Sequence, residues 1–100
     1  MNQEIRYRLK VTDGTANLIR GLHPKIKPTI KAALEMIAKD SFSGKALKDD
    51  LKGLHSFRVK RYRIVYRVLP KQKLLEIVTI GPRKNIYIET FRLIQKGKRH

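Results

Sequence analysis

The strongest constraint on the fold is an alternation of apolar and polar side chains in the second half of the chain. The alternation runs through residues 55–59 and resumes, shifted by one position, through residues 62–68. A period of two is typical of a strand with one buried face, and the shift predicts a tight turn or bulge at Lys60-Arg61. A nearly continuous apolar run at residues 74–80 predicts a central strand. Together these segments predict an antiparallel meander.

The first half of the chain combines one strand pattern with two helix patterns. Residues 5–11 alternate and predict a strand, after which Thr12 or Asp13 can cap a short helix. A second helix is predicted from about Pro24 to Lys39, because its apolar side chains share one face. The members of this apolar stripe are Ile26, Ile30, Ala33, Leu34 and Ile37. The two helices predict a helical hairpin that packs on one face of a sheet.

Two segments complete the predicted order. Residues 41–53 are largely polar and predict a connection, whereas a last helix, capped by Asn85, is predicted to turn Tyr87, Phe91 and Ile94 towards the core. The fold class is therefore α+β, in the order β-α-α-β-β-β-α, with a mostly antiparallel twisted sheet and the helices packed on one face. We expect one domain over residues 1–100. Its scaffold is the strand and helical hairpin of residues 1–40, and its functional part is the basic meander and last helix of residues 51–94.

Positive charge is concentrated in the predicted meander. The chain has 24 Lys and Arg against 8 Asp and Glu, a net charge of +16. Residues 1–50 carry 10 basic and 6 acidic side chains, whereas residues 51–100 carry 14 and 2, so the net charge rises from +4 to +12. Like charges at this density repel one another and oppose folding, so the imbalance favours a polyanionic partner such as nucleic acid or an acidic protein.

Several classes of protein are disfavoured by composition. The chain has no cysteine, which excludes disulfides, thiolate catalysis and cysteine-ligated zinc, and its three histidines follow no metal-ligand spacing. We therefore expect no metal and no cofactor. No apolar run approaches the roughly 18 residues that span a bilayer, and the first residues do not match a signal peptide. The expected location is the cytoplasm, with no membrane partner.

The candidate site is a group of cations and one phenol on the meander and the last helix. Alternate residues of neighbouring strands share a face, so we expect these side chains to converge. The group contains Arg58, Lys60, Arg61, Arg63, Arg67, Arg83, Lys84 and Tyr87. Spacing alone predicts only a basic sheet face that binds nucleic acid. On the same evidence Arg63 and Arg67 are compatible with solvated positions, Tyr62 and Tyr66 with the core, and Tyr87 with either core or site.

Convergent arginines suit a phosphate whose negative charge grows during a reaction. A guanidinium stays protonated and contacts two phosphate oxygens at once. RNA carries its own nucleophile, because the 2′-OH can attack the adjacent phosphate, so the protein need only position the strand, stabilise charge and move protons. Arginine is a poor base near neutral pH. The base would be a Lys or Tyr perturbed by neighbouring cations, or a group of the partner.

Three motifs in the correct order resemble the RelE/ParE toxin superfamily. They are Leu51-Lys52-Gly53-Leu54, the segment from Arg58 to Arg67 that contains Tyr-Arg-Ile-Val-Tyr, and Gly81-Pro82-Arg83 followed by Ile86-Tyr87. The match is collinear from about residue 51 to 94 and resembles the RelE-like branch most. This resemblance implies an endoribonuclease that cuts mRNA in the ribosomal A site and is held inactive by a cognate acidic antitoxin. It also implies a toxin that is monomeric alone and forms a higher oligomer with the antitoxin.

The resemblance also implies individual roles. Arg58 matches a position that contacts substrate phosphate, Arg63 the arginine that stabilises the transition state, and Arg83 the arginine that stabilises the leaving group or phosphate. Tyr87 matches the phenol that orients the 2′-OH or stacks on a base. We expect the remaining cations to bind RNA; they are Lys60, Arg61, Arg67 and Lys84. Ser56 departs from the pattern, because many relatives carry a second cation there, and this departure leaves the general base unassigned.

Two other functions are compatible with the same residues. ParE-like members of the superfamily poison DNA gyrase and cleave nothing. A non-catalytic protein that binds RNA or the ribosome would explain the charge equally well, although not the spacing from Arg83 to Tyr87. The presence of all four site residues, listed by role above, favours the ribonuclease.

Overall fold

A five-stranded mixed sheet organises the protein and places the predicted meander at its centre. The computed structural model describes residues 7–82 and 86–98. The elements in chain order are β1 (Arg8–Val11), α1 (Asp13–Arg20), α2 (Lys27–Lys39), β2 (Lys45–Ala46), β3 (Leu54–Val59), β4 (Tyr62–Leu69), β5 (Leu74–Pro82) and α3 (Ile86–Lys98). The strand order is β1-β5-β4-β3-β2. β1 pairs with β5 in parallel and the other pairs are antiparallel, which confirms the predicted α+β fold.

The helical hairpin is anchored to the sheet at both of its helices. Thr12 caps α1, since its hydroxyl accepts a hydrogen bond from the amide of Thr15 at 3.2 Å. The Thr15 hydroxyl in turn donates to the carbonyl of Val78 in β5 at 3.1 Å. In α2 the predicted stripe is buried from Ile30 to Ile37 and enters the main core. The hairpin therefore covers one face of the sheet, as predicted.

The phase shift between β3 and β4 is explained by a two-residue turn. Lys60 and Arg61 form this turn, and Lys60 takes a left-handed backbone conformation with φ of 54°. Val59 and Tyr62 are Cα partners across this turn, so both side chains point to the face of the sheet that α1 and α2 cover. The turn predicted at Lys60-Arg61 is confirmed.

A second irregularity, which the sequence did not indicate, lies between β4 and β5. Val65 pairs with Thr79 but Tyr66 pairs with Ile77, so Val78 is an extra residue in β5. Such a bulge lets a strand keep apolar residues on the correct face when its alternation fails. Here Val65 and Val78 both contribute to a second core, away from the one that contains Tyr66 and Ile77.

The two faces of the sheet carry separate cores, and α3 covers the face opposite the helical hairpin. Ile64 and Tyr66 belong to the main core beneath α1 and α2, whereas Val65, between them in sequence, packs with Leu54 and Ile86 in the second core. Successive residues of a strand point to opposite faces. The prediction that the helices pack on one face is therefore wrong for α3, which lies on the opposite face of the sheet.

The prediction for the buried face of α3 was wrong at two of its three positions. Ile86 and Thr90 are fully buried and Ile94 is partly buried, whereas Tyr87 and Phe91 are 36% and 37% exposed. The predicted residues are spaced by four and three positions and the observed ones by four, so sequence spacing fits either face. Packing on Leu54 and Val65 selects the face that leaves Tyr87 outside the core.

The segment predicted as a connection contains a short strand. Lys45 and Ala46 pair with Ser56 and His55 and form the edge of the sheet. Two residues are too few for an alternation pattern, so the sequence does not signal this strand. Among residues 7–82 and 86–98, no helix is long and apolar enough to cross a membrane.

Candidate functional site

Two arginines lie opposite each other on the paired strands β3 and β4. Arg58 and Arg63 are Cα partners across the β-hairpin formed by β3 and β4, so their side chains share the sheet face that carries α3. Directly opposed like charges are unfavourable in a sheet. This pair therefore confers no stability by itself, and it creates a local concentration of positive charge.

Arg63 is held by two contacts of its guanidinium. Its Nη1 donates to the hydroxyl of Ser56 at 3.1 Å, and its Cζ lies 5.8 Å from the centre of the Tyr87 ring. This second distance is within the range of a cation–π contact. Its Nε is buried and has no hydrogen-bond partner within the described residues. Arg63 is thus partly buried and oriented, unlike a freely solvated surface arginine.

Ser56 is buried and contacts both Arg63 and Tyr87. Its side chain is 2% exposed, and the Tyr87 hydroxyl donates to its Oγ at 3.4 Å. Sequence reasoning noted Ser56 only as a departure from the family pattern. The signal that could have identified it is its phase: it precedes Arg58 by two residues on β3 and therefore points to the same face.

Tyr87 reaches this face because α3 presents it there. The helix buries Ile86 and Thr90 against the sheet, and Tyr87, one residue after Ile86, projects at the side of the helix next to Arg63. Of the two alternatives for Tyr87, core or site, the geometry agrees with the second. The site is therefore assembled from β3, β4 and α3.

Two further cations, Lys60 and Arg61, lie in the turn between β3 and β4. Arg58, Lys60 and Arg61 are exposed, and Arg58 Nε donates to the carbonyl of Lys60 at 3.4 Å. The left-handed conformation of Lys60 makes the two-residue turn possible. We define Arg58, Lys60, Arg61 and Arg63, which lie on the β-hairpin of β3 and β4, as the hairpin cations.

Arg67, which we predicted to bind RNA, lies apart from the hairpin cations. Its Nη1 forms an ion pair with Oε1 of Glu76 at 3.1 Å. Val65, which is fully buried, lies between Arg67 and Arg63 on the same face of β4. Four residues of extended strand separate the two arginines by roughly 13 Å. The charge of Arg67 is thus partly neutralised within the protein.

Two predicted site residues, Arg83 and Lys84, lie outside the described residues. The last residues of β5 border the site, because Gly81 is the Cα partner of Arg63 and Pro82 that of Tyr62. The assignments of Arg83 and Lys84 remain predictions.

The titratable groups with perturbed pKa values are on the other face of the sheet. Burial lowers the pKa of His55 and raises the pKa of the Tyr66 phenol. Their rings stack at 5.4 Å between centres, and the amide of Gly44 donates to the Tyr66 hydroxyl at 2.9 Å. Both contacts agree with the core position expected for Tyr66, and neither ring is part of the site. Within the described residues, no group of three or more His, Asp or Glu could hold a metal ion.

The arrangement can bind a phosphate and stabilise additional negative charge on it. The hairpin cations supply guanidinium and ammonium donors from one end of the sheet, and arginine matches the geometry of two phosphate oxygens. The half-exposed ring of Tyr87 adds a surface on which a base can stack. Preorganised donors of this kind stabilise a transition state because they need no reorganisation during the reaction.

Comparison with known proteins agrees with this fold. The family model described as the ParE toxin of type II toxin–antitoxin systems, parDE, matches residues 5–87. A search of curated protein sequences found no significant match.

Several solved structures share the architecture at low sequence identity. The toxin–antitoxin complex RelBE2 from Mycobacterium tuberculosis contains a chain with a TM-score of 0.74 and 21% identity, covering 83% of this chain and 98% of that one. A mutant of the E. coli toxin RelE in the free state has a TM-score of 0.75 and 15% identity, covering 94% and 99%. A YoeB/ParE toxin from Agrobacterium tumefaciens has a TM-score of 0.67 and 21% identity, covering 76% and 98%. At these identities the likeness establishes the fold alone.

Proposed function

Because the chain belongs to the ParE toxin family, within the RelE/ParE superfamily of type II toxins, we propose that it is a toxin that cleaves mRNA on the ribosome. The observation that carries this proposal is the arrangement of Arg63. Its guanidinium lies opposite Arg58 and is fixed by contacts with Ser56 and Tyr87. A surface that only attracts nucleic acid does not require an arginine held in one orientation.

The proposed reaction needs no metal. The 2′-OH attacks the adjacent phosphorus, the bond from phosphorus to the 5′-oxygen breaks, and the products are a 2′,3′-cyclic phosphate and a 5′-hydroxyl. Arg58 and Arg63 bind the phosphate oxygens as their charge grows, and Arg83 keeps its predicted role at the leaving group or phosphate. Tyr87 orients the 2′-OH or stacks on a base. The proton of the 2′-OH passes to a base, and the departing 5′-oxygen takes up a proton.

Cleavage of mRNA on programmed ribosomes tests this function directly. The protein is expected to cut mRNA within codons on the ribosome, and naked mRNA is tested beside it for comparison. The Arg83→Ala substitution is expected to abolish the cuts. The matched control is Lys71→Ala, since Lys71 is an exposed cation in the turn between β4 and β5. Equal cutting by the Arg83 variant would remove Arg83 from the site, and absence of cutting by the unsubstituted protein would contradict the ribonuclease.

Inhibition of DNA gyrase is the second candidate function. The observation that favours it is the matching family model, whose description names the ParE toxin. A gyrase supercoiling assay separates the two functions, because the ribonuclease should leave supercoiling unchanged. Inhibition of supercoiling by a protein that cuts no mRNA would establish the second candidate.

A cognate acidic antitoxin is the proposed protein partner. Chains of similar fold have been crystallised as RelBE complexes from Mycobacterium tuberculosis and E. coli, and as a RelE–RelB complex from Pyrococcus horikoshii. The net charge of +16 favours an acidic partner, part of which folds over the basic surface on binding. The proposed substrate implies action in the cytoplasm, by a toxin that is monomeric alone and forms a higher oligomer with its antitoxin.

Binding to RNA is expected to weaken steeply with salt. If the hairpin cations and their neighbours contact about four to six phosphates, the logarithm of affinity falls with the logarithm of salt concentration at a slope of roughly −3 to −5. Fluorescence anisotropy of a short single-stranded RNA, titrated at increasing potassium chloride, measures this slope. Arg58→Ala should make the slope less negative by about 1. A slope near −1 for the unsubstituted protein would contradict phosphate binding by a cluster of cations.

A further inference from the structure

A buried hydroxyl joins the three elements that form the site. Ser56 on β3 is 2% exposed, and it accepts hydrogen bonds from Arg63 on β4 and from Tyr87 on α3. A serine oxygen has two lone pairs and can accept both bonds at once. Ser56 is thus the common point through which the guanidinium and the phenol are placed relative to each other.

We propose that Ser56 is a positioning residue, whose hydroxyl fixes the Arg63 guanidinium against the Tyr87 ring before RNA binds. Its effect on cleavage rests on the proposed ribonuclease function. The positioning itself is a property of the protein without RNA and can be measured separately.

Without a fixed hydrogen-bond acceptor, the Arg63 side chain would be free to change rotamer. A free arginine side chain has many rotamers of similar energy, and this one is repelled by Arg58 on the opposite strand. Within the described residues Arg63 Nε has no partner, so Nη1 to Ser56 is the hydrogen bond that orients the group. Without that acceptor, repulsion from Arg58 would favour other rotamers.

The uncharged side chain of Ser56 also suits its position beside Arg63. Ser56 accepts a hydrogen bond from Arg63 without adding charge to a cluster that already contains the hairpin cations. A cation at this position has no lone pair to offer and would repel the guanidinium. Ser56 therefore orients Arg63 by accepting its hydrogen bond and does not itself bind phosphate.

Burial makes the serine a rigid support. The backbone of Ser56 is fixed on both sides, because it pairs with Lys45 in β2 and with Val65 in β4. An acceptor held in the middle of a sheet defines a position for its donors more accurately than one on a loop. Misplacement of a catalytic group by about 1 Å can cost about 100-fold in rate.

Nitrogen NMR of the arginine guanidinium groups tests the positioning in the free protein. Arg63, assigned through an Arg63→Lys variant, is expected to show two separate Nη signals, because its bond to Ser56 slows rotation of the group. Ser56→Ala should merge these signals, Ser56→Thr should keep them apart, and Ser41→Ala, at another buried serine, should change nothing. Unchanged Arg63 signals in Ser56→Ala would overturn the proposal.

Cleavage kinetics on programmed ribosomes test the consequence. Ser56→Ala is expected to lower the single-turnover rate at saturating ribosomes by about 10- to 100-fold, since reacting groups lose their alignment. The ribosome concentration for half-maximal rate should change by less than about twofold, and Ser56→Thr should restore the rate. Merged NMR signals with an unchanged rate would overturn the role of Ser56 in cleavage. If the unsubstituted protein cuts nothing, the ribonuclease function fails, while the NMR comparison still decides whether Ser56 holds Arg63.

Discussion

Arg63→Ala is expected to lower the rate of mRNA cleavage on the ribosome by about 100- to 1,000-fold, the usual effect of removing one preorganised donor to a transition state. The arginine is partly buried, bonded to Ser56 and set against the ring of Tyr87. Its loss therefore removes an oriented charge and also frees Tyr87. Single-turnover cleavage on programmed ribosomes, with melting curves to verify folding, measures the effect.

Arg67→Ala is the matched control for this experiment. Arg67 occupies the same face of the same strand, but it is paired with Glu76 and separated from Arg63 by the buried Val65. At roughly 13 Å its charge is screened beyond the Debye length of about 8 Å, so we expect a loss of less than about threefold. Similar losses in both variants would mean that total charge, rather than the geometry of Arg63, determines activity.

A lysine at position 63 separates charge from geometry. Arg63→Lys keeps the positive charge but loses the planar group that contacts two oxygens at once. We expect most of the alanine effect to remain in this variant. Full activity with lysine would contradict an oriented contact between Arg63 and phosphate.

Gly44→Ala is expected to lower the free energy of unfolding by about 1–3 kcal/mol, because it overpacks a closed contact. A Cβ atom on Gly44 would lie 2.5 Å from the Tyr66 hydroxyl oxygen and 2.9 Å from the carbonyl oxygen of Ser56. The amide of Gly44 donates to that hydroxyl at 2.9 Å, and Tyr66 is fully buried. Neither neighbour can move aside easily, since one is backbone and the other is in the core.

Urea denaturation of Gly44→Ala, Gly14→Ala, Tyr66→Phe and the double variant Gly44→Ala/Tyr66→Phe isolates this contact. Gly14→Ala is the control, because a Cβ there meets nothing within 4 Å, and we expect it to stabilise the protein by about 0.4–1 kcal/mol or leave it unchanged. Tyr66→Phe removes the hydroxyl, so Gly44→Ala should cost less in that background, with a coupling energy of about 0.5–3 kcal/mol. Equal behaviour of Gly44→Ala and Gly14→Ala would show that Gly44 is not closely packed.

The sequence by itself predicted the elements whose patterns are local. Alternation predicted β1, β3 and β4, a nearly continuous apolar run predicted β5, and the shift at Lys60-Arg61 predicted the turn between β3 and β4. The apolar stripe of α2 predicted its buried face. The shared face of Arg58 and Arg63 follows from alternation once the turn is known, because a two-residue turn sets the register.

Only the tertiary structure decided how the site is completed. The spacing of α3 fits burial of either Ile86 and Thr90 or Tyr87 and Phe91, and the second core selects the first pair. That selection brings Tyr87 to Arg63 and gives Ser56 two donors. The pairing of Arg67 with Glu76 likewise requires the register of β4 and β5. Periodicity in a sequence shows which secondary structure and which buried face a single segment prefers. The contacts of the site join residues far apart in sequence, and their proximity depends on how the whole sheet packs.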